Sequence, residues 1–279
     1  MPEQKISRPI RVTFDTNTLE RAVRPERFPK DPHQAQYQKV RAALQAGTIN
    51  GFMCETIVTC EGIQKVDRPE TYGSMTLSSK QEHRQGESGE DIIHLTLTPE
   101  MPKLKPLHKE MKLMVRAALN LRFRMLGVPR IGGMKIDDPD GEIYVQEVPN
   151  SAEQAARLDR QFEAIRAIEE RGVGIAQVKS LADKFAKRAG VHEPWFKSLE
   201  RATDIHERNA VSRAVAEWAD GDAIGAHIGY GIEYFCTEDA GKSAGGASIM
   251  DAGNRAWLKE RFGIKFLSLK ELDELLNRQ

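Results

Sequence analysis

Four acidic residues in this sequence occupy positions from which their carboxylates could act on one reaction. They are Asp15 directly after the apolar segment RVTF, Glu61 in TIVTCEGI, Asp222 in DGDAIGAHIGYG, and Asp239 directly after IEYFCTE. Gathered carboxylates repel one another, so a group of four must bind protons or a cation. Ligand sets made only of oxygen favour Mg²⁺ or Mn²⁺ over zinc. The four acids therefore predict a divalent-metal site, provided that the fold brings them together.

Each acid also has a simpler structural interpretation. Asp is a favoured N-terminal cap of helices, so Asp15 and Asp222 can serve as caps, and Asp220 competes with Asp222 for that position. Glu61 can be a solvated helix residue, and Asp239 can cap a turn. The elements that carry the acids must decide between these interpretations.

Strands and helices alternate at both ends of the chain. The strand RVTF is followed by the helix HQAQYQKVRAALQAG, the strand INGFMCE and the helix TIVTCEGIQK, and the last third repeats the alternation with strands at IEYFCT and IKFLS. This order predicts an α/β fold with a mostly parallel sheet covered on both faces. Ligands of such sheets bind outside the carboxyl ends of the strands, where Asp15 and Asp239 are expected.

Residues 67–149 interrupt this alternation and predict an inserted α+β subdomain. Within them, SSKQEHRQGESGED predicts a mobile surface loop, DIIHLTLT and EIYVQEV predict strands, and PLHKEMKLMVRAALNLRFRMLG predicts a helix. Four basic residues recur at helical spacing in and just before that helix: Lys105, Lys109, Lys112 and Arg116. A basic stripe of this kind is either a solvated face or a set of RNA contacts.

The segments FDTNTL, TIVTCEGI, DAIGAHIGYGIEYFCTED and FGIKFLSLKEL, in this order, resemble PIN domains over roughly residues 8–66 and 200–279. The resemblance implies a Rossmann-like three-layer α/β/α fold, with residues 1–66 and 150–279 forming a discontinuous nuclease domain. It also implies a metal-dependent endoribonuclease like those of bacterial toxin–antitoxin pairs. An RNA substrate follows from this, and an inhibitory protein partner or a homo-oligomer remains open.

By the same resemblance, Asp15, Glu61, Asp222 and Asp239 are the catalytic and metal-binding residues, with Mg²⁺ or Mn²⁺ as cofactor. Asn17 and Thr237 would orient the ligands or the scissile phosphate. Two features depart from the family pattern. The separation of Glu61 and Asp222 is much longer than in compact PIN domains, and AGKSAGGAS replaces the usual charged turn after Asp239.

Composition adds little about partners. The 41 basic residues balance the 41 acidic ones, so there is no global attraction to nucleic acid or to anionic membranes. The sequence starts with a polar segment, has no apolar run of membrane-spanning length, and contains an odd number of cysteines, three in all. These features predict reduced thiols, a cytoplasmic location and no membrane association.

Two other functions remain open. FDTNTL also resembles the FDxDGT segment of haloacid dehalogenase-like phosphatases, but Asn17 stands where that family has its general acid, and an amide cannot donate that proton. A PIN-like scaffold can also bind RNA or protein without cleaving anything. His227, beyond Asp222 on the same predicted helix, is expected to be a packed residue rather than a catalytic base.

Overall fold

The computed structural model describes residues 8–86, 88–128, 136–146, 151–241 and 248–278. Its strands are β1 (Ile10–Phe14), β2 (Ile49–Cys54), β3 (Thr76–Gln85), β4 (Asp91–Glu100), β5 (Arg124–Leu126), β6 (Tyr234–Cys236) and β7 (Phe266–Leu267). Its α-helices are α1 (Thr16–Val23), α2 (Gln34–Ala46), α3 (Arg68–Gly73), α4 (Lys109–Asn120), α5 (Ser151–Glu170), α6 (Ile175–Ala189), α7 (Ile205–Gly229), α8 (Ala252–Phe262) and α9 (Leu269–Leu276).

The main sheet has five strands in the order β5-β2-β1-β6-β7, and each neighbouring pair is parallel. This confirms the α/β class predicted from the alternation of strands and helices. Successive strands are added on opposite sides of β1, because β2 lies on one side of it and β6 on the other. The carboxyl ends of β1 and β6 therefore form a switch point, where ligands bind in sheets of this kind.

Helices cover both faces of the sheet because side chains along each strand alternate between them. Val12 and Phe14 of β1 belong to a core that also contains residues of α1, α2, α4 and α9. Thr13 points the other way, toward α7, where it forms a hydrogen bond with His227. Phe235 of β6 packs on that second side with residues of α5, α7 and α8. The layers are therefore helix, sheet and helix.

The middle of the chain differs in part from its prediction. The segment expected to be a loop, residues 78–91, forms most of a β-hairpin, in which β3 and β4 pair antiparallel from Thr76 opposite Glu100 to Gln85 opposite Asp91. That prediction was wrong because cross-strand hydrogen bonds can hold a polar strand whose side chains are almost all exposed. β4 confirms the strand predicted at DIIHLTLT.

The rest of residues 67–149 is divided between the hairpin and the main sheet. β5 pairs with β2 in the main sheet, and α4 packs against α1. Of the strand predicted at EIYVQEV, the described part contributes a single bridge between Tyr144 and Met125, and residues 147 and 148 lie outside the described residues.

Helix α6 was missed by the sequence analysis. Its buried residues Val178, Ala182 and Phe185 recur at helical spacing, which is the signal that could have identified it.

Among the helices in the described part of the chain, none combines the length and the apolar character needed to cross a bilayer.

Candidate metal centre

Asp15 lies at the switch point of the sheet and also caps a helix. Its Oδ1 atom accepts a hydrogen bond from the backbone N–H of Thr16 at 2.7 Å at the start of α1. Its Oδ2 atom accepts hydrogen bonds from Asn17 Nδ2 at 2.5 Å and from the Thr237 hydroxyl at 2.6 Å. The capping interpretation is confirmed, and it does not exclude a second role because the carboxylate also faces other acids.

Asn17 and Thr237 hold Asp15 from two neighbouring elements. Thr237 follows β6 and is buried, and its hydroxyl also accepts a hydrogen bond from the backbone N–H of Asp239 at 3.0 Å. The Asn17 side chain joins α1 to the same loop, because its Oδ1 accepts from the backbone N–H of Glu238 at 3.0 Å. The two residues are therefore placed to orient Asp15, which is the position predicted for them.

Glu61 reaches Asp15 from the end of a turn of π-helix, Ile57–Glu61, rather than from the α-helix predicted after β2. A π-turn contains an extra residue compared with an α-turn, so it changes the direction in which the following side chains point. Such turns occur frequently at functional sites. The predicted position of Glu61 next to Asp15 is nevertheless what the structure shows.

The third acid beside Asp15 is Asp220, not Asp222. Helix α7 runs through both residues, so neither caps it. Residues two apart on an α-helix point about 200° apart, and only one of the pair can face the switch point. Asp222 is buried elsewhere, and its charge is one of the lesser causes, after burial, that raise the pKa of the Cys54 thiol. The sequence prediction that placed Asp222 in the acid group is corrected to Asp220.

Asp15, Glu61 and Asp220 form what we call the acid triad. One carboxylate oxygen from each lies within 4.8 Å of the other two, and all three residues are half-buried. Ligand oxygens of Mg²⁺ lie about 2.1 Å from the ion and hence at most about 4.2 Å from one another. Small side-chain movements would bring the three oxygens to that spacing, so their chemistry and placement fit a hard divalent cation.

Burial and mutual repulsion disfavour the charged form of every member of the triad. Burial, and next the charge of Asp15, raise the pKa of Glu61 to about 7. Burial, followed by the charges of Asp15 and Glu61, raises the pKa of Asp220 well above its usual range. Burial also raises the pKa of Asp15, although hydrogen bonds from Thr237 and Thr16 oppose the increase. A bound cation would offset this repulsion.

Asp239 lies close to the triad without belonging to it. Its charge contributes to the raised pKa values of Asp15 and Asp220. Its Oδ1 atom accepts a hydrogen bond from the backbone N–H of Gly241 at 2.7 Å, as expected for a residue that caps a turn. Of the AGKSAGGAS segment, residues 242–247 lie outside the described residues.

Arg68 is a charged neighbour that sequence reasoning missed. Its side chain is only 4% exposed, and its Nε and Nη1 atoms donate to the carbonyls of Ile63 and Ser212 at 3.2 and 2.7 Å. Its charge lowers the pKa of Glu61, against the larger effect of burial. A buried arginine beside a carboxylate cluster partly neutralises it in the absence of metal.

The four basic residues predicted as candidate RNA contacts lie before or on α4, and all are exposed. Lys105 forms an ion pair with Asp67 at 2.6 Å. Lys109, Lys112 and Arg116 project into solvent from the helix. Their contact with RNA stays a prediction.

His227 packs in the core, as predicted, and does not reach the triad. It is 3% exposed, its Nδ1 atom is 2.9 Å from the Thr13 hydroxyl, and its ring packs against Phe235. Burial, with a smaller effect of the Arg11 charge, lowers the pKa of His227 to about 3. A neutral, buried imidazole of this kind is a packing residue.

The contribution of His227 to stability is expected to decrease as the pH is lowered. Its folded pKa of about 3 lies below the unfolded value of about 6.5. Below pH 6.5 the unfolded chain therefore binds a proton that the folded chain does not, and its contribution to the free energy of unfolding falls by about 1.5 kcal/mol between pH 6.5 and pH 5. Urea denaturation at both pH values should show that the free energy of unfolding decreases by about 1.5 kcal/mol less in His227→Gln than in the parent. His206→Gln, at an exposed position of the same helix, should follow the parent, and equal losses in all three proteins would contradict the assignment.

Comparison of the chain with protein-family models, with curated proteins and with solved structures found no significant match.

Proposed function

We propose that this protein is a Mg²⁺- or Mn²⁺-dependent nuclease that hydrolyses RNA phosphodiester bonds at the acid triad, with Asp239 as a fourth acid. The observation that carries the proposal is the convergence of Asp15, Glu61 and Asp220 from three separate elements at the switch point of a parallel sheet. The resemblance of the segments around Asp15, Glu61 and Asp239 to PIN domains supports RNA as the substrate class.

We infer different tasks for the acids from their surroundings. Asp15 is the most rigid candidate ligand because donors from two elements fix both of its oxygens. Asp220 accepts no hydrogen bond from a side chain or backbone N–H within the described residues, so its oxygens are available to a cation. Glu61 faces Asp15 across the site and is placed to bind the cation or to orient the attacking water beside it. Bound Mg²⁺ or Mn²⁺ would neutralise phosphate charge and activate that water.

The structure favours this proposal over a phosphatase that uses Asp15 as nucleophile. Such a mechanism needs a general acid two residues later, and the Asn17 amide instead donates to Asp15 Oδ2. An amide has no proton to transfer at neutral pH. An RNA cleavage assay with and without metal distinguishes a nuclease from a non-catalytic RNA-binding protein.

Cleavage of RNA is expected to depend on an added divalent cation. Fluorescently labelled single-stranded RNA should be cut in Mg²⁺ or Mn²⁺, and exhaustive chelation should abolish cutting, since the triad carries the only proposed metal ligands. Gel analysis of the products gives the rate, and the same length of DNA is the substrate control. Binding without cleavage under every metal condition would make the protein a non-catalytic RNA-binding module, and cleavage that survives chelation would contradict the metal mechanism.

A further inference from the structure

A groove lies between α6 and α7. It has a volume of about 820 Å³, which falls in the size range of ligand-binding clefts. This volume accommodates a few nucleotides of a single strand but not a duplex. Polar and charged residues of its wall include Gln177 and Ser180 of α6, Asn209 and Arg213 of α7, and Lys65 and Arg68 before α7 in the chain.

The groove is lined by more positive than negative charge. Lys65 and Arg213 are exposed, and neither forms an ion pair with a described residue. Arg68 also contributes to the wall, but it is only 4% exposed and donates to two backbone carbonyls. The acid of the groove, Glu217, accepts a hydrogen bond from the backbone N–H of Ile249 at 3.2 Å. The accessible cations are therefore suited to bind phosphate.

The face of α7 that lines the groove continues to the acid triad. At about 100° per residue, Asn209, Arg213, Glu217 and Asp220 fall within an arc of about 80° on that helix. Asp220 lies one turn beyond Glu217, about 4.5 Å farther along the axis. Arg68 connects the same two regions, because it lines the groove and its charge acts on Glu61.

We propose that the groove binds the sugar–phosphate backbone of single-stranded RNA and leads it along α7 to the acid triad. Lys65 and Arg213 contact phosphates, while Gln177, Ser180 and Asn209 supply hydrogen bonds to sugar or base. The inference rests on the proposed nuclease function and adds the path of its substrate. It places RNA on α6 and α7 rather than on the basic stripe of α4.

The experiment compares two matched charge reversals of one lysine and one arginine each. Lys65→Glu with Arg213→Glu changes the groove, and Lys112→Glu with Arg116→Glu changes α4. Fluorescence anisotropy of a labelled oligouridylate, with chelator present, gives Kd across a series of NaCl concentrations, and kcat/KM in Mg²⁺ is measured over the same series. In chelator the metal-free triad repels the RNA phosphates in all three proteins alike, so this effect cancels in the comparison.

The groove variant is expected to bind RNA more weakly, by about tenfold or more, at low salt. Its slope of log K against log[NaCl] should be smaller in magnitude than the parent's by about 1.4, because two phosphate contacts are lost at about 0.7 each. The α4 variant should keep the parent's slope. If the parent cleaves RNA and the groove variant keeps its slope, the groove assignment is wrong while the nuclease function stands. A parent that neither binds nor cleaves RNA would overturn both proposals.

Discussion

Asp220→Asn is expected to lower the rate of metal-dependent RNA cleavage by at least about 100-fold, whereas Asp222→Asn should leave it near the parent's value. Loss of a residue that only supports a metal ligand already costs about 10- to 100-fold, and Asp220 is proposed to bind the metal itself. Asp222 lies on the opposite side of α7, away from Asp15 and Glu61. The two substitutions make the same chemical change two residues apart, so each is the control for the other.

The measurement is kcat for a labelled RNA in Mg²⁺, at a temperature at which circular dichroism shows both variants folded. The folding check is needed because Asp222 is only 1% exposed, and a change in the core can lower activity by unfolding the protein. Loss of activity in folded Asp222→Asn, with activity retained in Asp220→Asn, would restore the acid group as it was predicted from the sequence.

The same substitution should have opposite effects on stability with and without metal. In chelator, Asp220→Asn is expected to melt at a higher temperature than the parent, because it removes a carboxyl whose ionised form is disfavoured by burial and by the charges of Asp15 and Glu61. In Mg²⁺ the order should reverse. Binding to the parent contributes about 2.7 kcal/mol when the free ion is at 100 times its Kd, and the variant, which lacks one ligand, should gain much less.

Asp15→Asn is the matched comparison for this experiment. It also removes a negative charge, but the Asp15 carboxylate accepts hydrogen bonds from Thr16, Asn17 and Thr237. An amide presents a donor to donors at one of these positions, and a lost hydrogen bond to a charged group costs about 1.5–3 kcal/mol. In chelator Asp15→Asn should therefore be less stable than Asp220→Asn. Thermal melts of the three proteins in chelator and in excess Mg²⁺ test both expectations. Equal shifts of the three melting temperatures on adding metal would exclude a cation at the triad.

Much of the surroundings of Asp15 follows from local sequence. Alternating apolar residues identify β1, and the short polar side chains after it specify the cap of α1, in which Asp15 binds the N–H of the next residue. Both signals act over a few residues, so they can be read without knowing the rest of the chain. The α/β class followed from the order of strands and helices, and the tertiary structure confirms it.

The identity of the third acid was decided by tertiary structure alone. A helix with one apolar face shows in its sequence which side meets the core. Helix α7 is buried on most sides, with residues such as Val211, Val215, Trp218 and Ile224 packed against different neighbours. Its hydrophobic pattern therefore could not tell whether Asp220 or Asp222 faces β1. The rotation of α7 is set by its packing against α5, α6 and the sheet.

Two further features depended on contacts between distant residues. The π-turn that directs Glu61 is buttressed by the Tyr72 hydroxyl, which donates to the Thr59 carbonyl at 2.8 Å, and no local pattern distinguishes it from an α-helical turn. The polar strand β3 exists through its pairing with β4. The sequence by itself determined that acidic residues able to bind a metal are present, and that Asp15 directly follows β1. Packing of whole elements determined which acids meet, because the direction of a side chain depends on how its helix or turn is held by the rest of the fold.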